Sequence, residues 1–516
     1  MNLEKHLNLA GNNLLNCLCP ERNFLPYWHI VVSEDCSAEY QFRPHCNGHN
    51  VGRWWNAMLR LQSETGFTIH SSIETAMLEN TWQMCENPAG ILLDAPIPGD
   101  PGTWYIHSYR ETMLALGLLV RYRGNELARK FGLRAIERMR NASKNLSQWD
   151  FSTYTCSMNI GSSQGTCYTH GRAIEGLLCF YQATGEQIAF EEAERLAEFH
   201  FQHSVISSGE LSSGCGFHTH SYLNTLRGLL MIAAMKGQSA RLESLYATFC
   251  CAVSTMITPS GFISHDIGDV IVRFGDIASA GDIAHIALLL WDHFKDSALL
   301  DEAERIVRCR VIPAQVCEPM PIRPKCNKPS DSFRDLPQRF VGAIGGSVGQ
   351  VRGQTCTTDF TASALHSLIE LYRRAVDVNR DFVRVNFHFD RELKDIRVHC
   401  TQERFERRIA VCNNTGKSLL IRVPGWAPVD SLRLVVNNQQ IQPVIHDGFA
   451  CIPSQGEQGR HIFLSFALPA TCSSEQWCEL SATQKNLIFH WLGDEIEFVE
   501  PVGRYLDPFP KECIAL

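Results

Sequence analysis

The chain has 516 residues, is 45% hydrophobic and 20% charged, and carries a net charge of −8. That composition belongs to a folded globular protein and argues against a surface built for polyanions. No basic cluster or RNA-binding signature is present, so nucleic acid is not an expected partner. The length exceeds one ordinary hydrophobic core and sets an expectation of two or three domains.

In chain order, the first stretch, MNLEKHLNLAGNNLLNCLCPERNF, has no basic segment followed by an apolar one, so it does not read as a signal peptide. No uncharged apolar run reaches the length needed to span a bilayer. Both readings set an expectation of a cytoplasmic protein with no membrane partner. The 21 cysteines agree with a reducing compartment. They are scattered singly except for Cys250–Cys251, many lie in apolar runs such as GLLCFY around Cys179, and no CxxC pair occurs. They read as thiols packing like small hydrophobes.

The middle of the chain repeats one pattern. SYRETMLALGLLVRY has apolar residues at helical spacing, stops at Gly124, and is followed by the more charged ELARKFGLRAIERM. GRAIEGLLCFYQATGE is followed by FEEAERLAEFHFQH, SYLNTLRGLLMIAAMKG by ARLESLYATFCCAV, and DIAHIALLLWDHFKD by ALLDEAERIVRCRV. The apolar helices begin near residues 51, 108, 169, 219, 278 and 357, mostly about 50 to 60 residues apart, a period that marks stacked helical hairpins. The apolar member of each pair is expected inside and the charged member outside. Six pairs suit a closed (α/α)6 toroid, with the first 18 residues supplying the sixth outer helix; an open solenoid is the alternative. After residue 381 short β-rich runs take over, among them VRVNFHFD, RRIAVCN, SLRLVV, HIFLSFAL and NLIFHWL, and they read as a β-sandwich. The expected organisation is a mainly α toroid over residues 1–380 and a C-terminal sandwich over 381–516.

Polar residues gather where each apolar helix begins. They include His49 and Arg53 with Trp54; His107, Tyr109, Arg110 and Glu111; His170, Arg172 and Glu175; His218 and His220; Asp276 and Asp282; and Gln354, Cys356 and Asp359. In a toroid these six ends converge on one face. Aromatic rings, hydroxyl-binding groups and carboxylates at one mouth are what a sugar site needs. Serine, threonine and aspartate at helix starts are also ordinary N-caps, which accounts for Ser108, Thr169 and Asp276 without any chemistry.

Several stretches resemble the β-L-arabinofuranosidase-like glycoside hydrolases. AIEGLLCFYQATGE is similar to that family's Y-x-A-T-G helix end, HSYLNTLRGLL to its His-led helix, DIAHIALLLW to its Glu-x-Cys helix, and LLIRVPGWAPVDSLRLVVNNQQ to its R-I-P-G-W-A strand and V-N-G turn. The resemblance implies an (α/α)6 barrel with β-sandwich modules and a cysteine nucleophile held by zinc. Carried over, the family's Cys-Cys pair falls on Thr355–Cys356 or Cys356–Thr357 and its Glu-x-Cys on Ala280–Asp282, so the zinc ligand set is incomplete here. Two mechanisms follow. In one, Cys356 is the nucleophile. In the other, two carboxylates act, drawn from Glu175, Asp266, Asp269, Asp276, Asp282 and Asp359. His49, Arg53, Trp54, His107, Tyr109, Arg110, His170, Arg172, His218, His220 and Gln354 are the expected substrate contacts.

The expected function is a glycosidase releasing a sugar, of the L-arabinofuranose kind, from the end of an oligosaccharide or glycoconjugate. A sugar epimerase or polysaccharide lyase on the same toroid, and a non-catalytic carbohydrate-binding protein, are the alternatives. A homodimer is a further expectation, because β-modules appended to toroids often mediate one.

Overall fold

A computed structural model describes residues 1–33, 35–43, 46–87, 89–94, 104–106, 108–147, 158–159, 165–204, 215–267, 275–345, 354–454, 459–478 and 484–501. Its helices, in order, are α1 (Leu3–Asn16), α2 (Asn47–Thr65), α3 (Ser71–Cys85), α4 (Ser108–Arg123), α5 (Glu126–Ala142), α6 (Ala173–Thr184), α7 (Gln187–His203), α8 (Thr219–Met235), α9 (Ser239–Cys251), α10 (Ile277–Phe294), α11 (Ser297–Ile306), the single turn α12 (Leu336–Arg339) and α13 (Thr358–Arg373). Helices α2, α4, α6, α8, α10 and α13 pack in that order and α13 returns to α2. The ring is therefore closed, an (α/α)6 toroid and not an open solenoid. Helix α1 packs on α13 and α2, so the N-terminal segment is the sixth outer helix as expected. No described helix is long and apolar enough to cross a membrane.

Local chemistry sets the helix ends. Gly66 and Gly185 close α2 and α6 in the left-handed region, at φ 73° and 72°, where a side chain would be strained. The side chains of Asn125, Asp276, Asp296 and Thr357 cap the N-termini of α5, α10, α11 and α13. Glycines also set the spacing of the ring. A Cβ on Gly52 of α2 would fall 2.6 Å from the Glu111 Cβ of α4, and one on Gly228 of α8 would fall 2.7 Å from the Ile174 Cβ of α6. Neighbouring inner helices can thus approach closer than side chains would permit.

The β region begins at Val376. A five-stranded sheet has the spatial order Ile445–His446, Phe449–Ile452, Ser418–Arg422, Phe382–Val385, Val376–Val378, and a six-stranded sheet the order Arg391–Leu393, Ile396–Glu403, Glu406–Asn413, Arg460–Ala467, Arg433–Val436, Gln439–Ile441. Val383, Val385, Ile409, Leu419, Ile421, Leu434, Ile462 and Leu464 fill the core of this region. The strand holding NLIFHWL, expected in the sandwich, instead forms a separate three-stranded antiparallel sheet of Ala470–Cys478, Gln484–Leu492 and Glu495–Glu500. Its inner face, Trp477, Leu487, Phe489 and Trp491, packs on Phe262 and Cys309 of the helical region. Glu475 also accepts hydrogen bonds from the Ser260 N–H at 2.7 Å and hydroxyl at 2.8 Å. Another small sheet, also absent from the sequence reading, lies before α13. In it Gln354–Thr357 pairs antiparallel with His29–Val32, placing Cys356 opposite Ile30.

Candidate active site at the mouth of the toroid

Three of the inner helices carry a stripe of mostly buried polar residues. On α2 the stripe is His49, Arg53, Asn56 and Arg60; on α13 it is Asp359, Ser363, His366 and Glu370; on α8 it is His220, Asn224 and Arg227. These are positions i, i+4, i+7 and i+11, one face of a helix. The stripes of α2 and α13 meet rung by rung. His49 Nε2 lies 2.9 Å from Asp359 Oδ1, Arg53 Nη1 donates to Ser363 Oγ at 3.1 Å, the Asn56 amide meets His366 Nδ1 at 3.1 Å, and Arg60 Nη1 donates to Glu370 Oε1 at 3.1 Å. The result is a polar column along the axis of the ring, running from the N-terminal ends of the inner helices inward.

At its upper end two carboxylates share Arg53 and His49. Arg53 Nε lies 3.2 Å from Glu111 Oε1 and 3.0 Å from Asp359 Oδ1, and His49 Nδ1 lies 3.4 Å from Glu111 Oε2. The two carboxylate oxygens on Arg53 can therefore be no more than about 6 Å apart. Arg172 adds a further bond to Glu111 at 2.8 Å. Below this, Arg110 and Arg227 clasp Glu175, and Arg227 Nη1 also reaches Asp282 Oδ1 at 2.7 Å. His220 joins the two levels. Its Nδ1 contacts Asp282 Oδ2 at 2.6 Å and its Nε2 faces Arg53. Arg53 can only donate, so His220 carries its proton on Nδ1 and gives it to Asp282. Four arginines (53, 110, 172, 227) face four carboxylates (111, 175, 282, 359), so the column is close to electroneutral.

Burial opposes ionisation of Asp359, Glu111 and Glu175. The adjacent groups overcome it and hold all three below the usual carboxylate range: Arg53 and His49 for Asp359, chiefly Arg172 and His49 for Glu111, and Arg110 and Arg227 for Glu175. Burial pushes Asp282 and Asp276 up, and pushes His220 and His218 down, so that both imidazoles are neutral.

The expected site residues divide by depth and by face. Asp359, His49, Arg53, Arg172, His218 and His220 come together at the upper end of the column. Glu175 and Asp282, expected as catalytic carboxylates, and Arg110, expected as a substrate contact, are buried and tied in ion pairs with Arg227 and with each other. Trp54, Tyr109 and His170 point away from the axis. Trp54 donates its indole N–H to Leu14 O of α1. Tyr109 is fully buried within reach of Glu192 and Arg195 of α7. His170 bonds to His200 of α7 at 2.9 Å. Trp54 and Tyr109 are about 100° round the helix from the axis-facing Arg53 and Arg110, and His170 lies in the π-helical turn Cys167–Gly171 two residues before Arg172, so closeness in sequence placed them with the wrong group. Asp276 is the N-cap of α10, accepting from the Ala278 N–H at 2.9 Å and the Ser279 hydroxyl at 3.0 Å. Asp266 is exposed beside His265, 2.9 Å away. His107, Asp269 and the side chains of Gln354 and Cys356 lie outside the described residues.

Around His218 stand groups that were not singled out from sequence, Tyr168 and His265. His218 accepts the Ser221 N–H on Nδ1 at 3.2 Å, which leaves Nε2 as its donor. The Tyr168 and His265 rings meet it edge-on, with centroids at 5.3 and 4.7 Å. Trp28 stands 6.1 Å from the His49 ring, with the Arg43 guanidinium over its own ring at 5.6 Å. Among the described residues no group of three or more His, Cys, Asp or Glu could hold a metal ion. At the positions matching the family's zinc ligands, Ala280 has no donor atom and the Asp282 carboxylate is committed to Arg227 and His220. Those residues do not fit a zinc cage.

No family model matches the chain, and no curated protein matches it. Solved structures do. A GH127 β-L-arabinofuranosidase from Geobacillus stearothermophilus T6 superposes with a TM-score of 0.59 at 14% identity, over 87% of this chain and 76% of that one. A second GH127 β-arabinofuranosidase gives 0.61 at 12% identity over 87% and 75%. A protein described as a glycoside hydrolase gives 0.56 at 10% identity over 91% and 83%. At these identities the likeness establishes the shared architecture of toroid and β-modules, as the sequence resemblance implied.

Proposed function

We propose that the chain is a glycoside hydrolase that releases a terminal furanose, of the L-arabinofuranose kind, at the mouth of its toroid. The observation that carries this reading is Asp359. It is an ionised carboxylate at the top of the column, fixed by His49 and Arg53, on a fold shared with β-L-arabinofuranosidases. An oxocarbenium-like transition state needs such a preformed negative charge, as nucleophile or as base for water. The leaving oxygen needs a proton, and we assign that role to Asp276, the buried N-cap of α10 whose carboxyl burial pushes up. The His218 Nε2–H is suited to a sugar hydroxyl. The buried column below does no chemistry of its own in this scheme. It holds Arg53 and His49 still, and it closes the ring from beneath, which favours action on chain ends.

The test is hydrolysis of a panel of p-nitrophenyl furanosides and pyranosides by the wild type and by Asp359→Asn, Asp276→Asn and Cys356→Ala. Asp359→Asn is expected to lower kcat by about 10³-fold with the fold intact, the scale of losing one positioned catalytic group. Loss of turnover in Cys356→Ala with Asp359→Asn active would replace this scheme by a cysteine nucleophile. The meeting of Tyr168, His218 and His265 favours a second reading, proton abstraction beside a carbonyl or uronate. Silence across the panel, with ultraviolet-absorbing products from uronate polymers, would select it.

A further inference from the structure

The outer face of the three-stranded sheet carries a row that the glycosidase reading does not use. In the strand register Cys472 lies directly opposite His490, and His490 directly opposite Phe498. Side chains paired across antiparallel strands project from the same face about 5 Å apart, so the hairpin itself brings the thiol and the imidazole together. Cys472 Sγ is 3.4 Å from His490 Nδ1. On the other side of the ring, Glu500 Oε2 is 3.3 Å from His490 Nε2. Phe498 stacks on the imidazole, with centroids at 3.9 Å and planes 15° apart, and fixes its tilt. Cys472 is an exposed free thiol. The opposite face of the sheet is pinned by Trp477, Phe489 and Trp491 to the helical region, so the row sits on a fixed platform.

We propose that Cys472 is an activated thiol, a thiol–disulfide exchange site served by His490 as base and Glu500 as the anion that steadies the imidazolium. This is the arrangement of nucleophile, base and orienting carboxylate that covalent chemistry on cysteine requires. The thiol proton passes to His490 Nδ1, and the ring keeps its other proton on Nε2 toward Glu500. The thiolate attacks one sulfur of a small disulfide of the glutathione class. A new S–S bond forms at Cys472, the old S–S bond breaks, and the departing thiolate takes the proton back from His490. One thiol and one disulfide give one mixed disulfide and one thiol, with no other oxidant. The charged or titratable groups beside the thiol in this row are His490 and Glu500.

The chain carries its own controls. Cys250 and Cys251 are also exposed, at the end of α9, and burial with mutual repulsion pushes the Cys250 thiol up. Iodoacetamide labelling of the intact protein, followed site by site by mass spectrometry at about pH 6.5, is expected to modify Cys472 at least about 10-fold faster than Cys250, because only thiolate reacts. His490→Gln should bring Cys472 down to the Cys250 rate, Glu500→Gln should fall between, and glutathione disulfide should add first at Cys472. Fluorescence of Trp477 and Trp491 under the sheet reports whether each variant keeps the platform. Equal rates at Cys472 and Cys250, or a Cys472 rate unmoved by His490→Gln in a folded variant, would overturn the proposal. So would fast alkylation without any glutathione adduct.

Discussion

The toroid and the sandwich bury their interiors in opposite ways. Between the sheets, Val383, Ile409, Leu434 and Leu464 meet as hydrocarbon, and the energy there is burial and packing. Along the axis of the ring, four arginines, four carboxylates and a neutral His220 meet as charge. Taking that many ions out of water costs free energy that their mutual attraction only offsets, so the column is a poor way to stabilise a fold. It is a good way to specify one. Each guanidinium has a directed partner on another helix, and together they fix the rotation of the inner helices and the position of Asp359. The sandwich core supplies stability where geometry matters little, and the column supplies geometry at the expense of stability.

Four measurements would break or sharpen that contrast. The largest effect is expected from acid. Burial pushes His170, His285 and His388 down to about 3, against an ordinary value near 6.5. The unfolded chain takes up those protons first, so stability is full above about pH 6.5 and is lost as pH falls toward about 3. Asp359, Glu111 and Glu175 act in the same direction at the lower end, and Asp276 and Asp282 partly oppose it. Tm should fall steeply over that interval, and His285→Asn should flatten the slope. Next comes Arg227→Met, which strands Glu175 and Asp282 and should cost about 3–5 kcal/mol in urea unfolding. Adding Glu175→Leu and Asp282→Leu should recover most of it; failure to recover would mean that the charges themselves stabilise the ring. Leu464→Ala in the sandwich should cost about 3 kcal/mol as a cavity, with kcat unchanged on any substrate the panel identifies. The smallest effect is Thr357→Ala, which removes the cap that accepts the Phe360 N–H at 2.9 Å and should cost about 1 kcal/mol.

The architecture was legible because it repeats. Apolar helices were expected near residues 51, 108, 169, 219, 278 and 357, and inner helices stand at each, because burial on several sides demands an apolar run long enough to see. The depth and direction of the site residues were not legible. Nothing in RWW tells which of Arg53, Trp54 and Trp55 faces the axis, since that depends on where the neighbouring helices lie. Arg227 was missed, although the sequence carried a signal. His220, Asn224 and Arg227 fall on one face of a run that is otherwise apolar, as do His49, Arg53, Asn56 and Arg60. A polar stripe on a helix usually reads as the solvent side. Here, with a charged partner helix already covering the outside, it marks the inside. The strand before α13 was hidden for another reason: GQTCT is short, and its pairing with His29–Val32 is set by a contact more than three hundred residues away.

The glycine contacts between inner helices have a mechanical consequence. A methyl group on Gly52 would meet the Glu111 side chain and backbone of α4, and one on Gly228 the Ile174 side chain and Glu175 backbone of α6. In an open stack the helices beyond the clash could swing away. A closed ring has no free end, so a swelling at one joint becomes hoop tension shared by all six. The bore would widen everywhere a little, and the rungs from His49–Asp359 to Arg60–Glu370, each near 3 Å, would lengthen together. The ring therefore gauges its own diameter through glycines that touch none of the chemistry.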